Sequence, residues 1–585
     1  MNTAKKNLWW FCFFGFSLVQ IAIAQNLRTV FEQSLGSETA SYEETIAYYT
    51  KLSQQFPSIS LEEIGETDSG FPLHVVTYHA AGKLQLKDIQ KTGKTTLLIN
   101  NGIHPGEPDG IDASMLLLRD LAQGKLPSEK YKNLIVCVIP IYNIGGSLNR
   151  NSTTRVNQNG PESYGFRGNA RNFDLNRDFI KADTKNAHTF TKIFHLIQPD
   201  IFIDTHVSDG ADYQYVLTHL FTQHNKLGGD LGAYLNNTLK PFVEKDLLEK
   251  KHDITPYVNV FNTTPEQGFS QFFDSPRYST GYATLFNTLS LMVETHMLKP
   301  YKERVEGTYA LMYTLLDFAT VNGHEIRNLR NESINKQKLL KEYPISWKLD
   351  TTKYEVLNFK GYKGIFVKSE ITGQNRLKYD RSKPFKKPVK FYNEFVPEKR
   401  VKIPAAYILP GGWWPVTDRL KLNQIRFTAF KKDTVLEVET YTIKSYRSAE
   451  TPYEGHQLHS NSQVEAGTGK KHFRKGDLMI PTDQPGMRYL LETLEPEAKD
   501  SFFNWNFFDA ILENKEYFSP YVFEDLAGVV LKENPALKTE LDDKKAKDPK
   551  FNANWYAQLD FIYKHSKYLE AAYMEYPVYR YYKKE

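Results

Sequence analysis

The sequence predicts an α/β fold in which a sheet carries helices on both faces, followed by a β-rich domain and a helical C-terminal region. Three observations lead there. Before about residue 330, short apolar runs alternate with stretches of helical periodicity, the pattern of strands joined through helices. Several of those runs are apolar at successive positions rather than at alternate ones, as expected for strands buried on both faces. After about residue 340 the texture changes to alternating Tyr-, Lys- and Val-rich stretches, and from about Gly486 it becomes helical.

The elements follow in order. Residues 1–24 begin with Lys5 and Lys6, continue with an apolar run from Leu8 to Ile23, and end in Ala22-Ile23-Ala24 before Gln25. This is the pattern of a secretory leader with a small-residue cleavage site, so an exported protein, periplasmic or extracellular, is expected, with no stable membrane insertion once the leader is removed. A domain over residues 25–330 then contains a strand at Thr95–Asn100, a Gly- and Pro-rich loop and a helix over Asp109–Ala122. It continues with an apolar run at Leu134–Ile141, a helix over His188–Ile197, a short buried strand at Ile201–Asp204, a strand at Leu289–Glu294 and a helix over Arg304–Ala319. In open α/β sheets, ligands bind beyond the carboxyl ends of the strands. Residues 340–480 form the β-rich domain, with strands expected at Lys363–Lys368 and Val435–Ile443, and residues 485–585 the helical region, with helices at Met487–Leu494 and Tyr556–Tyr573. The pair Trp413-Trp414 is read as core packing rather than as a ligand platform.

A chain of 585 residues has material for two or three cores. Its 41% hydrophobic and 24% charged residues are ordinary for a folded protein and argue against disorder. The compositional excess is aromatic, with 36 Tyr and 37 Phe. The formal charge of +5 includes Lys5 and Lys6 of the leader, and so small an excess predicts no nucleic-acid partner. With Cys12 in the leader, Cys137 is the only cysteine after it, which excludes an internal disulfide.

Chemistry gathers at the ends of the apolar runs. The strand Thr95–Asn100 leads to Asn101-Gly102-Ile103-His104-Pro105-Gly106-Glu107, and an imidazole with a carboxylate three residues on can converge on one cation, a pairing that suits zinc. Ile201–Asp204 leads to His206, a third ligand at another strand end, and three protein ligands leave the open position of a catalytic rather than structural zinc. Between them lies the donor-rich segment Arg167-Gly168-Asn169-Ala170-Arg171-Asn172-Phe173-Asp174-Leu175-Asn176-Arg177. The strand Leu289–Glu294 ends in a carboxylate, which is costly there without a partner or a task. His296, two residues on, is read as a surface or helix-start residue.

His-Pro-Gly-Glu after a strand, Asp-Leu-Asn-Arg-Asp-Phe, a later strand-end His and a final strand-end Glu together resemble the zinc carboxypeptidase family, over roughly residues 40–320 and in the family's order. The resemblance implies a mixed twisted sheet and one zinc ion per chain, bound by His104, Glu107 and His206, with Asp174 orienting His104. It implies that Asn176 and Arg177 grip the terminal carboxylate of a peptide substrate and that Arg167 polarises the scissile carbonyl, with Arg171 as the competing arginine. Glu294 matches the general base, and Tyr278 and Tyr282 are candidates for the family's mobile substrate-binding tyrosine. The activity implied is hydrolysis of a peptide bond at the C-terminal end of a peptide with a free carboxylate. The alternatives are a zinc-dependent deacylase or amidase acting on a small N-acyl amino acid or a cell-wall peptide, and, from another class, a non-catalytic exported protein that binds peptides or glycans.

Overall fold

The computed structural model describes residues 27–583; the expected leader, residues 1–24, lies outside them. Its centre is an eight-stranded sheet. The strands are β1 (Ile59–Glu66), β2 (Pro72–His79), β3 (Thr95–Asn100), β4 (Leu134–Ile139), β5 (Ile201–Ser208), β6 (Leu217–Phe221), β7 (Ile254–Pro256) and, after the two-residue β8 (Phe269–Ser270), β9 (Leu289–His296). The order across the sheet is β1-β2-β4-β3-β5-β9-β6-β7. β3, β4, β5 and β9 run parallel at the centre, and β2 and β6 flank them antiparallel, so the sheet is mixed, as expected. β3, β4 and β5 are buried at every position, which accounts for apolar runs without alternation.

Helices cover both faces. α1 (Tyr42–Gln55) opens on a capping box in which Ser41 accepts from Glu44 N and Glu44 reaches back to the Ser41 backbone. α2 (Asp109–Ala122) matches its expected limits and buries most of its length. Gly110 at its start allows a close approach to β5, because a Cβ there would lie 2.2 Å from Thr205 Oγ1. α3 (Lys185–Ile197) is capped by Thr184, whose side chain accepts from Ala187 N. α4 (Tyr301–Gln337) is a 37-residue helix, far longer than the expected Arg304–Ala319, since its polar second half still packs through Ile326 and Gln337. Much of the aromatic excess is core: Phe179, Phe190, Phe194, Phe202 and Tyr282 form one ring cluster with centroid spacings of 5.0–6.5 Å.

Beyond α4, β10 (Glu342–Leu349) pairs with a later strand, and β11 (Glu355–Lys368) and β12 (Asn375–Tyr392) form a long hairpin whose end pairs in parallel with β8. β13 (Phe395–Lys402) is the partner of β10. A six-stranded sheet follows, built from β14 (Ala406–Leu409), β15 (Thr428–Ala429), β16 (Thr434–Ser448), β17 (His459–Phe473), β18 (Leu478–Pro481) and β19 (Glu575–Tyr581), in the order β15-β18-β14-β19-β16-β17. The C-terminal region is therefore helical only up to Lys564. β19 inserts between β14 and β16, a strand that the helical reading of residues 485–585 did not contain.

The texture changes near residues 340 and 485 are changes of secondary structure that do not end the main core, although the β11–β12 hairpin and the helices from Phe523 to Tyr563 pack into smaller clusters of their own. One continuous apolar cluster runs from Leu27 to Val578. α5 (Met487–Leu494) is buried at all eight positions, stacks Tyr489 on Phe286 at 6.0 Å, and donates Arg488 Nη2 to Leu227 O at 2.7 Å. Trp413 packs on Phe508 as expected, at 4.9 Å, whereas Trp414 is exposed. Among the described residues no helix is long and apolar enough to cross a membrane.

Candidate active site

The central strands bring the expected residues together. After β3, the chain turns so that Glu107 N donates to His104 O at 2.8 Å, which sets the two side chains on one side of the turn. Gly106 is needed between them: a Cβ there would lie 2.5 Å from Arg155 Cδ and 3.0 Å from Gly165 O. His206 lies within β5 and Glu294 within β9, and parallel pairing places them directly opposite, His206 against Glu294. β5 runs four residues and β9 two residues past the expected limits, because pairing continues through His206 with Glu294, Val207 with Thr295 and Ser208 with His296.

Glu107 stands between two imidazoles. His104 Nδ1 is 3.2 Å from Glu107 Oε1 and His206 Nδ1 is 3.3 Å from Oε2. The far nitrogens are held by carboxylates: His104 Nε2 by Asp174 Oδ1 at 2.9 Å and His206 Nε2 by Asp204 Oδ2 at 2.8 Å. An ionised carboxylate only accepts, so each Nε2 carries a proton, which leaves each Nδ1 beside Glu107 as the ring nitrogen able to turn a lone pair to a cation there. Two imidazole nitrogens and one carboxylate oxygen, all buried and within 4.8 Å of one another, form the N₂O donor set that zinc takes with a fourth position open. These residues fit that ion.

Asp204 was not singled out in the sequence, although it stands two residues before His206 and so on the same strand face. It also accepts from Asn100 Nδ2 at 2.9 Å. Asp204→Asn is expected to weaken zinc binding about tenfold, within the range for loss of a carboxylate behind a metal-bound histidine. Competition with a chelator measures this, and unchanged affinity would remove Asp204 from the metal centre.

The segment 167–177 is shaped by its own side chains. Asn169 Oδ1 accepts from Arg171 N and Phe173 N, and Asp174 Oδ1 accepts from Asn176 N at 2.9 Å. Against the effect of burial, His104 and then Arg167 and Arg177 hold the Asp174 carboxyl far below the usual range. Arg167 donates Nε to Asp174 Oδ2 at 3.0 Å and places Nη1 3.7 Å from Glu107 Oε1. Arg171 turns away, with Nη1 on Asp183 O at 3.3 Å and its guanidinium over Phe173; it does not line the cavity, which corrects its expected place at the substrate.

That cavity, of ≈ 390 Å³, opens over His104, Glu107 and His206 and is lined also by Arg155, Arg167, Asn176, Arg177, Tyr257, Tyr278 and Glu294. Tyr278 lies under Arg177, whose guanidinium is 4.6 Å from the ring centre. Tyr282 is a correction. It is fully buried, donates its hydroxyl to Asn423 Oδ1 at 2.7 Å and packs against Phe194, because it is in the helical segment Ser279–Thr284 one turn beyond Tyr278 and faces the core. Side chains missed in the sequence include Arg155, with Nη1 2.8 Å from Glu107 Oε1, and Tyr257; neither belongs to a motif. His296, expected at the surface or at a helix start, is instead the last residue of β9 and fully buried beside Asp212 at 3.2 Å.

Burial is the main cause pushing the Glu294 carboxyl up to about 8, with His206 opposing and Glu107 adding to it. On Glu107, burial works upward, but Arg155 and His104 win and hold it well below the usual range. Two carboxylates in one cavity are thus driven apart, one fixed as an anion and one inclined to hold a proton, the separation that acid–base work requires.

Residues 45–196 match the family model of zinc carboxypeptidases; that span includes His104, Glu107, Asp174 and Arg177 and ends before His206 and Glu294. Among curated proteins, the chain is similar to Carboxypeptidase 2 of Trichophyton rubrum, 21% identical over 430 residues, covering 70% of this chain and 73% of that protein. It is similar also to Carboxypeptidase 2 of Trichophyton equinum, 22% identical over 441 residues with the same coverages. Among solved structures, similar chains are a metallo-carboxypeptidase from Burkholderia cenocepacia, 18% identical over 48% of this chain and 70% of that one with a TM-score of 0.37, and a metallo-carboxypeptidase from Pseudomonas aeruginosa in complex with (2-guanidinoethylmercapto)succinic acid, 14% identical over 49% and 70% with a TM-score of 0.37.

Proposed function

We propose, from the premise that this chain belongs to the zinc carboxypeptidase family through residues 45–196, that it is an exported metallocarboxypeptidase releasing the last residue of peptides with a free terminal carboxylate. The observation that carries this reading is the single cavity in which the His104, Glu107 and His206 cluster, Glu294 and the arginines Arg155, Arg167 and Arg177 meet.

His104, Glu107 and His206 would hold one zinc ion, which when bound lowers the pKa of water and polarises a carbonyl. Glu294, opposite His206 in the register, takes a proton from the attacking water and returns it to the leaving amine. Arg167 donates to the oxygen on which negative charge develops. Asn176 and Arg177 bind the terminal carboxylate, for which a planar guanidinium supplies parallel donors. Leu220 and Met292, opposite one another across β6 and β9, and Phe272 give the cavity an apolar wall, suited to an apolar side chain on the released residue.

The test is a matched pair of peptides, one a free acid and one a C-terminal amide. The zinc-loaded chain is expected to prefer the acid in kcat/KM by about 10- to 100-fold, the range for hydrogen bonds to a charged group, and Arg177→Ala is expected to erase that preference. Equal rates on both peptides would replace this reading with the deacylase or amidase one.

A further inference from the structure

The loop between β16 and β17, far along the chain from the catalytic strands, lies against the segment that carries Arg177. Tyr453 Oη accepts from Arg177 Nε at 3.0 Å, and Glu454 Oε2 accepts from Asp174 N at 2.9 Å. His456 Nε2 meets Asp183 Oδ2 at 2.6 Å. The loop is closed on itself, since Tyr453 N donates to His456 O at 2.7 Å and His456 N donates back to Tyr453 O at 3.1 Å. Glu454 and Gly455 both take left-handed backbone, φ 50° and 79°, and a Cβ on Gly455 would lie 3.0 Å from the Phe173 ring, so the glycine is what lets the loop approach.

Tyr453 is itself held rigidly. Its ring stacks on the fully buried Trp505, at 6.1 Å and 22° between planes. The other face that grips Arg177 is tied to the same region. Arg277, next to Tyr278, places its guanidinium 4.8 Å from the Trp505 ring centre and donates Nε to the buried Asp500 at 2.7 Å. Arg177 thus has one donor spent on Tyr453, its plane lying over Tyr278 and Nη1 donating to Asn176 O at 2.8 Å. What remains for the cavity is the rest of its Nη edge.

We infer that Tyr453 is a positioning residue for substrate recognition, and that residues 340–585 complete the carboxylate-binding site by fixing the Arg177 guanidinium before substrate arrives. This rests on the reading of Arg177 as the group that binds the terminal carboxylate. An unrestrained arginine must be immobilised during binding, whereas one already clamped by a hydroxyl and a ring is not, so the effect falls on affinity and not on the chemical step.

The experiment uses the full-length, zinc-loaded chain with Tyr453→Phe, which keeps the ring on Trp505 and removes only the hydroxyl. KM for a free-acid peptide is expected to rise roughly three- to tenfold, the scale of immobilising one flexible side chain. The kcat value, zinc content and thermal midpoint stay at wild-type values, and turnover of the matching C-terminal amide does not change. In an Arg177→Ala background, Tyr453→Phe is expected to add nothing, because the two share one interaction. An unchanged KM in the single variant, a rise of equal size in the Arg177→Ala background, or a fall in kcat without a change in KM would each overturn the inference. If wild-type enzyme does not distinguish acid from amide, the reading of Arg177 fails first and takes this inference with it.

Discussion

Replacing Glu294 by Gln is expected to leave one zinc per chain and to lower kcat by roughly 10³-fold or more, near the upper part of the range for general acid–base catalysis. The substitution keeps shape and polarity while removing the ability to accept a proton. Its backbone is secured independently of the carboxyl: β9 is flanked by β5 and β6, and Thr218 Oγ1 donates to Glu294 O at 2.9 Å. Burial pushes the Glu294 carboxyl up to about 8, so its proton affinity suits exchange near neutral pH. Steady-state kinetics with metal analysis on the same sample checks this. Full activity in the zinc-loaded variant would remove Glu294 from the reaction.

The second large effect concerns the metal. His206→Ala is expected to abolish retention of zinc through dialysis and to reduce hydrolysis to background, and a chelator should do the same to the wild type, with recovery on adding zinc. The physical reason lies in the three-ligand set: losing one Nδ1 leaves His104 and Glu107, and two ligands do not make the centre that three do. Binding should also stabilise the fold, by about 4 kcal/mol when free zinc is a thousandfold above its dissociation constant. The thermal midpoint of the wild type should therefore rise with zinc while that of His206→Ala does not. An active, zinc-free His206→Ala protein would exclude this centre.

Much of this was legible from residue order. β3 and α2 have the expected limits, Thr95–Asn100 and Asp109–Ala122, because an unbroken apolar run followed by a Gly- and Pro-rich loop and a 3.6-residue pattern leaves few local alternatives. The ligand loop could be read because His104 and Glu107 are only three residues apart, close enough for one turn to join them. Long-range relations were less accessible. That Arg167 and not Arg171 lines the cavity depends on which way two neighbouring arginines leave a tight loop, and both have the same local chemistry. Tyr278 and Tyr282 are separated by one helical turn and differ only in which face meets the core.

The sequence by itself determined the chemistry available to this protein: two histidines and two glutamates at the ends of apolar strands, an Asp-x-Asn-Arg segment between them, and a sheet buried on both sides. Only the tertiary structure decided how these act together. Strand register set His206 against Glu294, a relation between residues brought together by hydrogen bonds across strands and not by spacing along the chain. The packing of α5 and β19 joined much of residues 340–585, apart from the helices between Phe523 and Tyr563, to the same core, where composition had suggested a separate domain. That packing carries Tyr453 to Arg177, and no local pattern encodes a contact that depends on a whole second sheet being folded against the first.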